Sequence, residues 1–260
     1  FSVVPLVYDR DPLPPDLAGI VVRSCWDYHR QPDLFLNWLA AVEARGIPVW
    51  NPPAVLRWNL DKHYLRELAA AGLDVPRTVF IPRGPGPYLA QVLAEHHFTD
   101  VVVKPAVSLS AYRTFRCDPA TAADHQTDFA AALADGAVLV QAFVPAVQTA
   151  GELSLVFLDR RYSHAVRKRP RAGDFRSQPD HGGTVSKKDP SDEVIAQALA
   201  TVRAAGLLCG PLAYARVDGF VGKQGLQLIE LELIEPYLFL NHATAAAPRR
   251  LVQAVLRQLG

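Results

Sequence analysis

LQLIELELIEP, Leu226 to Pro236, is the stretch on which the reading of this chain turns. Apolar and acidic residues alternate there at strand spacing and a proline closes the run, so Glu230 and Glu232 are expected on one face. Two carboxylates aimed the same way repel each other unless a cation or a basic group stands between them. Oxygen ligands of this kind suit Mg²⁺ in a site that also holds phosphates. Asp218, at the end of the apolar run LAYARVD, offers a third ligand. The competing reading is an amphipathic surface strand whose acids pair with lysines.

The composition narrows the partners. The 260 residues carry 27 basic and 26 acidic side chains, a formal net charge of +1, so nothing draws the chain as a whole toward nucleic acid or a membrane surface. Half of the residues are hydrophobic, enough for a sizeable core in one large domain or in two to three lobes. The expected partner is a small molecule, and a homodimer is compatible with the sequence. Cys25, Cys117 and Cys209 are odd in number and lie outside any CxxC spacing, which argues against a disulfide frame or a zinc site and for a reduced, cytoplasmic protein. No apolar run reaches the roughly 18 residues that span a bilayer. There is no Walker A loop, GxGxxG, GxSxG or HExxH, and the chain contains no methionine.

Upstream of the acidic strand the chain reads in units. Ser2–Tyr8 and Gly19–Arg23 read as strands, 34–44 as a helix and IPVW as a strand, the beginning of a parallel α/β layer; a layer this small would be incomplete, and a further strand and helix are expected ahead of it. Between strand and helix lies RSCWDYH, Arg23 to His29. Strand ends in such layers collect ligands, and Arg23 has the fork to grip a carboxylate, with Trp26 and Asp27 beside it. The alternative is that Trp26 packs inside while Arg23 pairs with Asp27. Asn59 or Asp61 is expected to cap a helix running to Ala71, with Lys62 in its first turn, where an external anion would offset the unfavourable helix dipole.

Val75–Pro82 opens a second unit, with a helix from about Tyr88 to His96 and the apolar strand VVVKP behind it. Lys104 ends that buried strand, where its ammonium needs an anion. The small, hydroxyl-rich AVSLSAYRTF that follows suits a phosphate loop using backbone N–H groups and Ser108 or Ser110. A helix over 120–134 and a strand over 137–144 complete this unit. Glu152–Leu158 and Tyr162–Val166 read as a hairpin. After it come the basic run RKRPRAGDFR, Arg167 to Arg176, and His181-Gly182-Gly183, an expected anion-binding loop. A capped helix over 191–205, the acidic strands and a helix over 246–259 close the chain.

Lysine, strand-end lysine, QAFV, GE with a hairpin, an arginine loop, then Asp and paired acids: in this order the motifs resemble the ATP-grasp superfamily over nearly the whole chain, in its glutathione synthetase and ribosomal-modification ligase branch. The resemblance implies an α/β and α+β architecture, a parallel pre-ATP-grasp lobe (1–57) ahead of two α+β lobes (58–144 and 145–260) that clasp ATP. It implies that Lys62 and Lys104 hold the ATP phosphates, that Gln141, Ala142, Phe143 and Val144 take the adenine edge through the backbone of Ala142 and Val144, and that Glu152 reaches the ribose. Arg167 and Arg176 would steady the transferred phosphoryl group, and Asp218, Glu230 and Glu232 would bind Mg²⁺. Two departures stand out: Glu232 occupies a position usually held by asparagine, and the phosphate loop carries serines where glycines are usual.

RSCWDYH, VRKRPRAGDFR, HGGT and ELELIEP together resemble the actinobacterial ligase group that includes the enzyme closing the ring of D-cycloserine. That resemblance implies O-ureido-D-serine as substrate, with Arg23, Trp26, Asp27, Gly182 and Gly183 beside it. A carboxylate would be activated as an acyl phosphate and attacked by an amine-type nitrogen, with no protein nucleophile. A ligase joining two molecules, a kinase and a nucleotide-binding regulator are the rivals.

Overall fold

The computed structural model describes residues 2–171, 173–177, 181–222 and 225–257. The chain opens with an irregular segment rather than the expected strand over Ser2–Tyr8: Val3 and Val4 are exposed and find no strand to pair with, and the segment is held at its end, where Tyr8 packs edge-on against Phe35 with centroids 5.5 Å apart. β1 (Ile20–Val21) and β2 (Val49–Trp50) pair in parallel, with α1 (Pro32–Ala44) between them in sequence. Phe35, Leu39 and Val42 of α1 are fully buried, at helical spacing.

The next segment departs from expectation in a way that matters for the site. Of the two caps the sequence offers, Asn59 lies inside an earlier helix, α2 (Pro53–Leu60), in which Pro53 suits a first turn that needs no N–H, and the helix expected to run to Ala71 starts beyond Asp61. Asp61 ends α2 and its carboxylate takes the His63 N–H at 2.9 Å, after which α3 (Tyr64–Ala70) begins. Lys62 therefore sits in the tight junction between two helices, not in a first turn.

A four-stranded antiparallel sheet follows, built from β3 (Thr78–Ile81), α4 (Leu89–Glu95), β4 (Val101–Pro105), β5 (Phe115–Cys117), α5 (Gln126–Asp135) and β6 (Val138–Ala142), in the order β3-β6-β4-β5. Side chains from α4 and α5, among them Leu93 and Phe129, share a core with Val101, Val103 and Val140. After α6 (Ala146–Thr149), β7 (Glu152–Leu158), β8 (Arg161–Arg169), β9 (Thr184–Lys188), α7 (Asp192–Cys209), β10 (Tyr214–Gly222) and β11 (Gly225–Glu232) form a five-stranded antiparallel sheet, ordered β11-β10-β7-β8-β9. β5 and β9 were not anticipated. α8 (Ala246–Leu256) ends the described chain, and the last residues of the helix expected to 259 lie outside it.

The large sheet is two-faced. Leu153, Leu155 and Phe157 of β7, Ala165 of β8, Ala215 and Val217 of β10, and Leu231 and Leu233 pack together with Val194, Ala198, Val202 and Ala205 of α7. α7 is started by Ser191, whose hydroxyl accepts the Val194 N–H, and Asp192 and Glu193 complement the helix dipole. Each fully buried Leu or Phe contributes about 1.5–3 kcal/mol, so this layer anchors the sheet. The opposite face carries the polar residues of the site.

Two one-residue bulges decide what that face displays. Asp218 pairs with Glu230 but Gly219 pairs with Leu228, so Ile229 is an extra residue in β11. The bulge reverses side-chain parity, which lets Leu226, Leu228, Leu231 and Leu233 all reach the same core while Glu230 and Glu232 turn outward together. In β8, Val156 pairs with His164 and Phe157 with Tyr162, leaving Ser163 extra. Beyond that bulge Glu152 faces Lys168, where an even hairpin would have set it against Arg167. Gly151, at φ +78°, permits the close approach: a Cβ there would lie 2.6 Å from the Lys168 carbonyl oxygen.

Candidate active site

A cleft of about 600 Å³ opens between the two larger sheets. The small sheet contributes Lys104 and the segment Gln141–Val144, the large sheet Glu152, Lys168, Arg216, Asp218, Glu230 and Glu232, and the helix junction Lys62. Groups more than 150 positions apart in sequence thus face one space, and both lysines look toward the acidic strand.

Acidic and basic side chains interleave across the large sheet, with Arg216 and Asp218 both on β10 between Glu230 and Glu232 of β11 and Glu152 of β7. Lys168 Nζ lies 2.6 Å from Glu152 Oε1 and 3.1 Å from Asp218 Oδ2. Arg216 pairs with the same Asp218 oxygen at 2.9 Å and also with Glu232, and Lys62 Nζ lies 3.1 Å from Glu230 Oε1. Burial would raise the Asp218 carboxyl, but Arg216 and Lys168 outweigh it and hold the group down at about 2. Glu230 is likewise lowered, Lys62 and Lys104 overcoming its burial. Glu232 goes the other way, to about 7: burial dominates, and Asp218 and Glu230 add repulsion that Arg216 only partly offsets. The negative charge that Glu232 adds, where asparagine is usual, is thus shared with Arg216.

Lys104 differs from the other buried cations. Its side chain is almost wholly buried, yet it has no hydrogen-bond or ion-pair partner among the described residues. Burial pushes its ammonium down to about 8, against the pull of Glu230. A cation in this state gains most from an incoming anion.

The loop after Lys104 wraps the cleft despite its serines. Ser110 and Ala111 take left-handed backbone at φ +50° and +57°, the conformation for which glycine is ordinarily needed. Ser108 and Ser110 line the cleft; the Lys62 ammonium donates to the Ser108 carbonyl, and the Lys62 N–H to the Ala106 carbonyl at 2.9 Å. His181 Nε2 meets the Ser110 carbonyl oxygen at 3.4 Å from the far side.

Asp218, Glu230 and Glu232 share a face, as the alternation required, and their hard oxygen donors fit Mg²⁺ next to phosphate. Each is turned to a basic side chain, and among the described residues no group of three or more His, Cys, Asp or Glu side chains is closed around a metal position. Gln141 to Val144 border the cleft, but the Ala142 N–H donates to the Arg77 carbonyl at 2.8 Å and the Phe143 N–H to the Asp100 carbonyl at 2.9 Å, so neither is free for a ligand. Glu152 is engaged by Lys168 and by the Ser177 hydroxyl.

The basic run is corrected most. Arg167, Lys168 and Arg169 belong to β8, so no loop of five cations forms. Arg167 projects from the face opposite to Lys168 and does not line the cleft, and its Nε is buried without a partner. Lys168 takes the place expected for Arg167, by virtue of the Ser163 bulge. Arg176 does border the cleft, held bidentately by Asp174 at 2.8 and 3.1 Å. Gly182 packs on the Arg171 side chain, and neither it nor Gly183 lines the cleft.

In the N-terminal loop, Trp26 lines the cleft and is half exposed. Asp27 instead accepts the Tyr8 hydroxyl at 3.3 Å, away from the cleft and unpaired with Arg23. Arg23 lies over the Tyr214 ring, 5.6 Å from its centroid. Arg216 is not singled out by the sequence reading, Lys168 enters it only as part of the basic run, and Asn59 only as a candidate helix cap. Arg216 had a signal, since it precedes Asp218 by two in a strand and must share its face. Asn59 had none for its actual bonds: its amide donates to the Leu231 carbonyl and accepts the Leu233 N–H, both at 2.7 Å, and so pairs with the free edge of β11.

Comparison with known proteins adds to this geometry. Residues 13–51 match the family described as D-cycloserine synthetase DcsG, N-terminal domain. The chain is 32% identical over 259 residues to the cycloserine biosynthesis protein DcsG of Streptomyces lavendulae, covering 93% of this chain and 83% of that protein. The crystal structure of D-cycloserine synthetase DcsG superposes with a TM-score of 0.85 at 28% identity, covering 97% of this chain and 88% of that one. The D-alanine–D-alanine ligase of Bacillus anthracis, complexed with ATP, gives a TM-score of 0.63 at 16% identity over 85% of this chain and 73% of that one, a likeness of fold. With a cleft of buried lysines facing paired carboxylates and a relative of this kind matched over most of its length, the chain belongs to the DcsG family of ATP-grasp ligases.

Proposed function

We propose that this chain is an ATP- and Mg²⁺-dependent carboxylate–amine ligase that closes the ring of O-ureido-D-serine to give D-cycloserine. One observation carries the site: Lys104, buried and without a hydrogen-bond or ion-pair partner among the described residues, faces Glu230 and Lys62 in the cleft. The family relationship supports the ring-closing chemistry.

Lys104 and Lys62 hold the phosphates of ATP, under the serine loop, and the N–H of Val144, which has no backbone partner among the described residues, serves the adenine edge. Asp218, Glu230 and Glu232 would hold Mg²⁺, which supplies charge neutralisation on the phosphate oxygens. The substrate carboxylate takes the γ-phosphoryl group, forming an acyl phosphate and releasing ADP. The substrate's own N–O nitrogen then attacks the carbonyl carbon, phosphate departs, and that nitrogen gives up its proton. Hydrolysis of the carbamoyl remainder, consuming one water, leaves the free ring with carbon dioxide and ammonia. Arg176, beside the cleft, offsets charge on the transferring group, and positioning supplies most of the rest.

The lobes fall at 1–57, 58–144 and 145–260 in this reading, with the substrate entering past Trp26. The described residues contain no helix long and apolar enough to cross a membrane. A cytoplasmic enzyme acting on a small amino-acid-like molecule, without nucleic acid, accords with the balanced charge. The test is ADP formation and product mass with ATP, Mg²⁺ and a panel of amino acids that includes O-ureido-D-serine. A requirement for a second amino acid before ADP appears would replace ring closure by intermolecular ligation.

A further inference from the structure

The nitrogen that closes the ring must lose a proton, and the steps above give that proton no acceptor in the protein. The register of the large sheet shows where one would stand. Gln141 to Val144, the segment at the nucleobase end, leads into β7 at Glu152, and β7 then runs along β10 with Leu153 against Gly219, Ser154 against Asp218 and Val156 against Arg216. The cleft floor therefore passes from the nucleobase end through Asp218 to Arg216. An acceptor whose carboxylate meets the γ-phosphate at the acidic residues has its remaining atoms on the Arg216 side.

That side is walled by the chain after β11. Arg216 Nη1 donates to the Tyr237 carbonyl at 3.1 Å, and His164, which pairs with Val156 in the same row of the sheet, has its Nε2 2.8 Å from the Leu238 carbonyl oxygen. Phe239 follows in left-handed backbone, φ +47°, and starts the 3₁₀ turn Leu240–His242, in which the His242 N–H donates to the Phe239 carbonyl at 2.9 Å. The Phe239 ring stands between two side chains: the Arg216 guanidinium lies 5.6 Å from its centroid and the His242 imidazole 6.4 Å, edge-on. Tyr237, Phe239 and His242 all line the cleft.

His242 is the one histidine among the described residues that line the cleft; it is partly buried, and its ring makes no hydrogen bond or ion pair among them. The carboxylates of the cleft are engaged otherwise, Glu152 and Asp218 with Lys168, Glu230 with Lys62 and Glu232 with Arg216. Imidazole is the side chain that takes up and releases protons near neutral pH, and one of its nitrogens is always an acceptor in the neutral form. The charged and titratable groups that face it are His164 from β8 and, across the Phe239 ring, Arg216 from β10 and Tyr237.

We propose that His242 is the proton acceptor of ring closure. As the substrate nitrogen bonds to the carbonyl carbon, the N–H proton passes to the open imidazole nitrogen; the carbon–oxygen bond to phosphate breaks, phosphate leaves with the electron pair, and the imidazolium then releases its proton to solvent. The proposal rests on the ligase reading and deepens it, because it assigns a residue to the second half of the reaction alone. Phosphoryl transfer from ATP needs no base, since the attacking carboxylate is already ionised.

The test is a rapid-quench experiment with ATP, Mg²⁺ and O-ureido-D-serine in which ADP and ring product are measured in the same samples. In His242→Asn the first turnover of ADP is expected within about threefold of the parent rate, whereas ring product slows by about a hundredfold or more, the scale of a positioned base, and hydroxylamine traps the waiting acyl phosphate as a hydroxamate. His242→Gln repeats the measurement if the first variant does not fold. In the unaltered chain the ring-closing step should slow as the pH falls from about 8 to about 5, and the variants should lose that dependence. Equal slowing of ADP and ring product, ring closure at the parent rate in either variant, or a ring-closing step in the unaltered chain that is indifferent to pH overturns the proposal. Failure of the ligase reading looks different: the unaltered chain then forms neither ADP nor ring product with any amino acid, and the role of His242 falls with it.

Discussion

The Lys62 ammonium stands 3.1 Å from the Glu230 carboxylate, and the same lysine donates through its backbone to Ala106 and through its side chain to Ser108. One residue at a helix junction therefore ties the loop after Lys104 to the acidic strand. Lys104, two positions before Ala106, is left as the cation of the cleft without a partner among the described residues.

Lys104→Met is expected to weaken ATP binding by about tenfold to a hundredfold, the value of a charge-assisted contact to phosphate, with the melting temperature kept or raised because a buried unpaired ammonium is removed. Nucleotide titration and thermal melts check both halves. pH adds a signature. The folded-state value of about 8 lies below the ordinary 10.5, so between these the unfolded chain binds more protons and stability rises with pH. The ligand-free chain should gain on Lys104→Met across about pH 8 to 10.5, and parallel stability curves would contradict the burial argument.

Glu230→Gln should act on turnover. It keeps the shape of the strand but removes an acidic ligand from the face that meets phosphate, so kcat is expected to fall by about a hundredfold or more while the Kd for ATP changes only a few-fold. Steady-state kinetics over a magnesium titration would show it. A variant with unchanged kcat would remove Glu230 from the proposed metal set.

The two basic neighbours in β8 should behave oppositely. Lys168→Met leaves Glu152 and Asp218 buried without their cation and is expected to cost about 3–5 kcal/mol of stability. Arg167→Met, on the face away from the cleft, should leave kcat within about threefold of the parent, a change no larger than indirect packing effects produce. Chemical denaturation and kinetics on the two variants separate them, and a large loss of turnover in Arg167→Met would restore that residue to the site.

This reversal shows where the sequence was legible. Alternation in LQLIELELIEP exposed the paired acids because a strand has period two, and a lysine ending an apolar strand announced its need for an anion. The order of such features revealed the fold. What alternation alone cannot show is a single inserted residue: Ser163 in β8 exchanges Arg167 for Lys168, and no turn or glycine marks it. The run Ser2–Tyr8 failed for another reason, since strand propensity is fulfilled only where a neighbouring strand offers hydrogen bonds. Asn59 reads as a helix cap, and its actual bonds were not legible because they go to a segment 172 positions away.

Asn59 supports the last expectation. β11 is an edge strand, and its outer hydrogen-bonding groups are met by side chains: Asn59 bonds Leu231 and Leu233, and the Tyr64 hydroxyl accepts the Leu231 N–H at 3.0 Å. Leu231 and Leu233 flank Glu232, and Glu230 precedes them, so this pairing sets the twist with which both acids meet the cleft. Asn59→Ala leaves a buried carbonyl and a buried N–H unpaired and is expected to cost about 2–4 kcal/mol. Because the bulge at Ile229 already loosens pairing with β10, the edge should also shift, so kcat should fall by more than the folded fraction explains. Hydrogen exchange at Leu231 and Leu233, together with turnover corrected for folded protein, is the measurement. Protection at the parent level would limit Asn59 to packing.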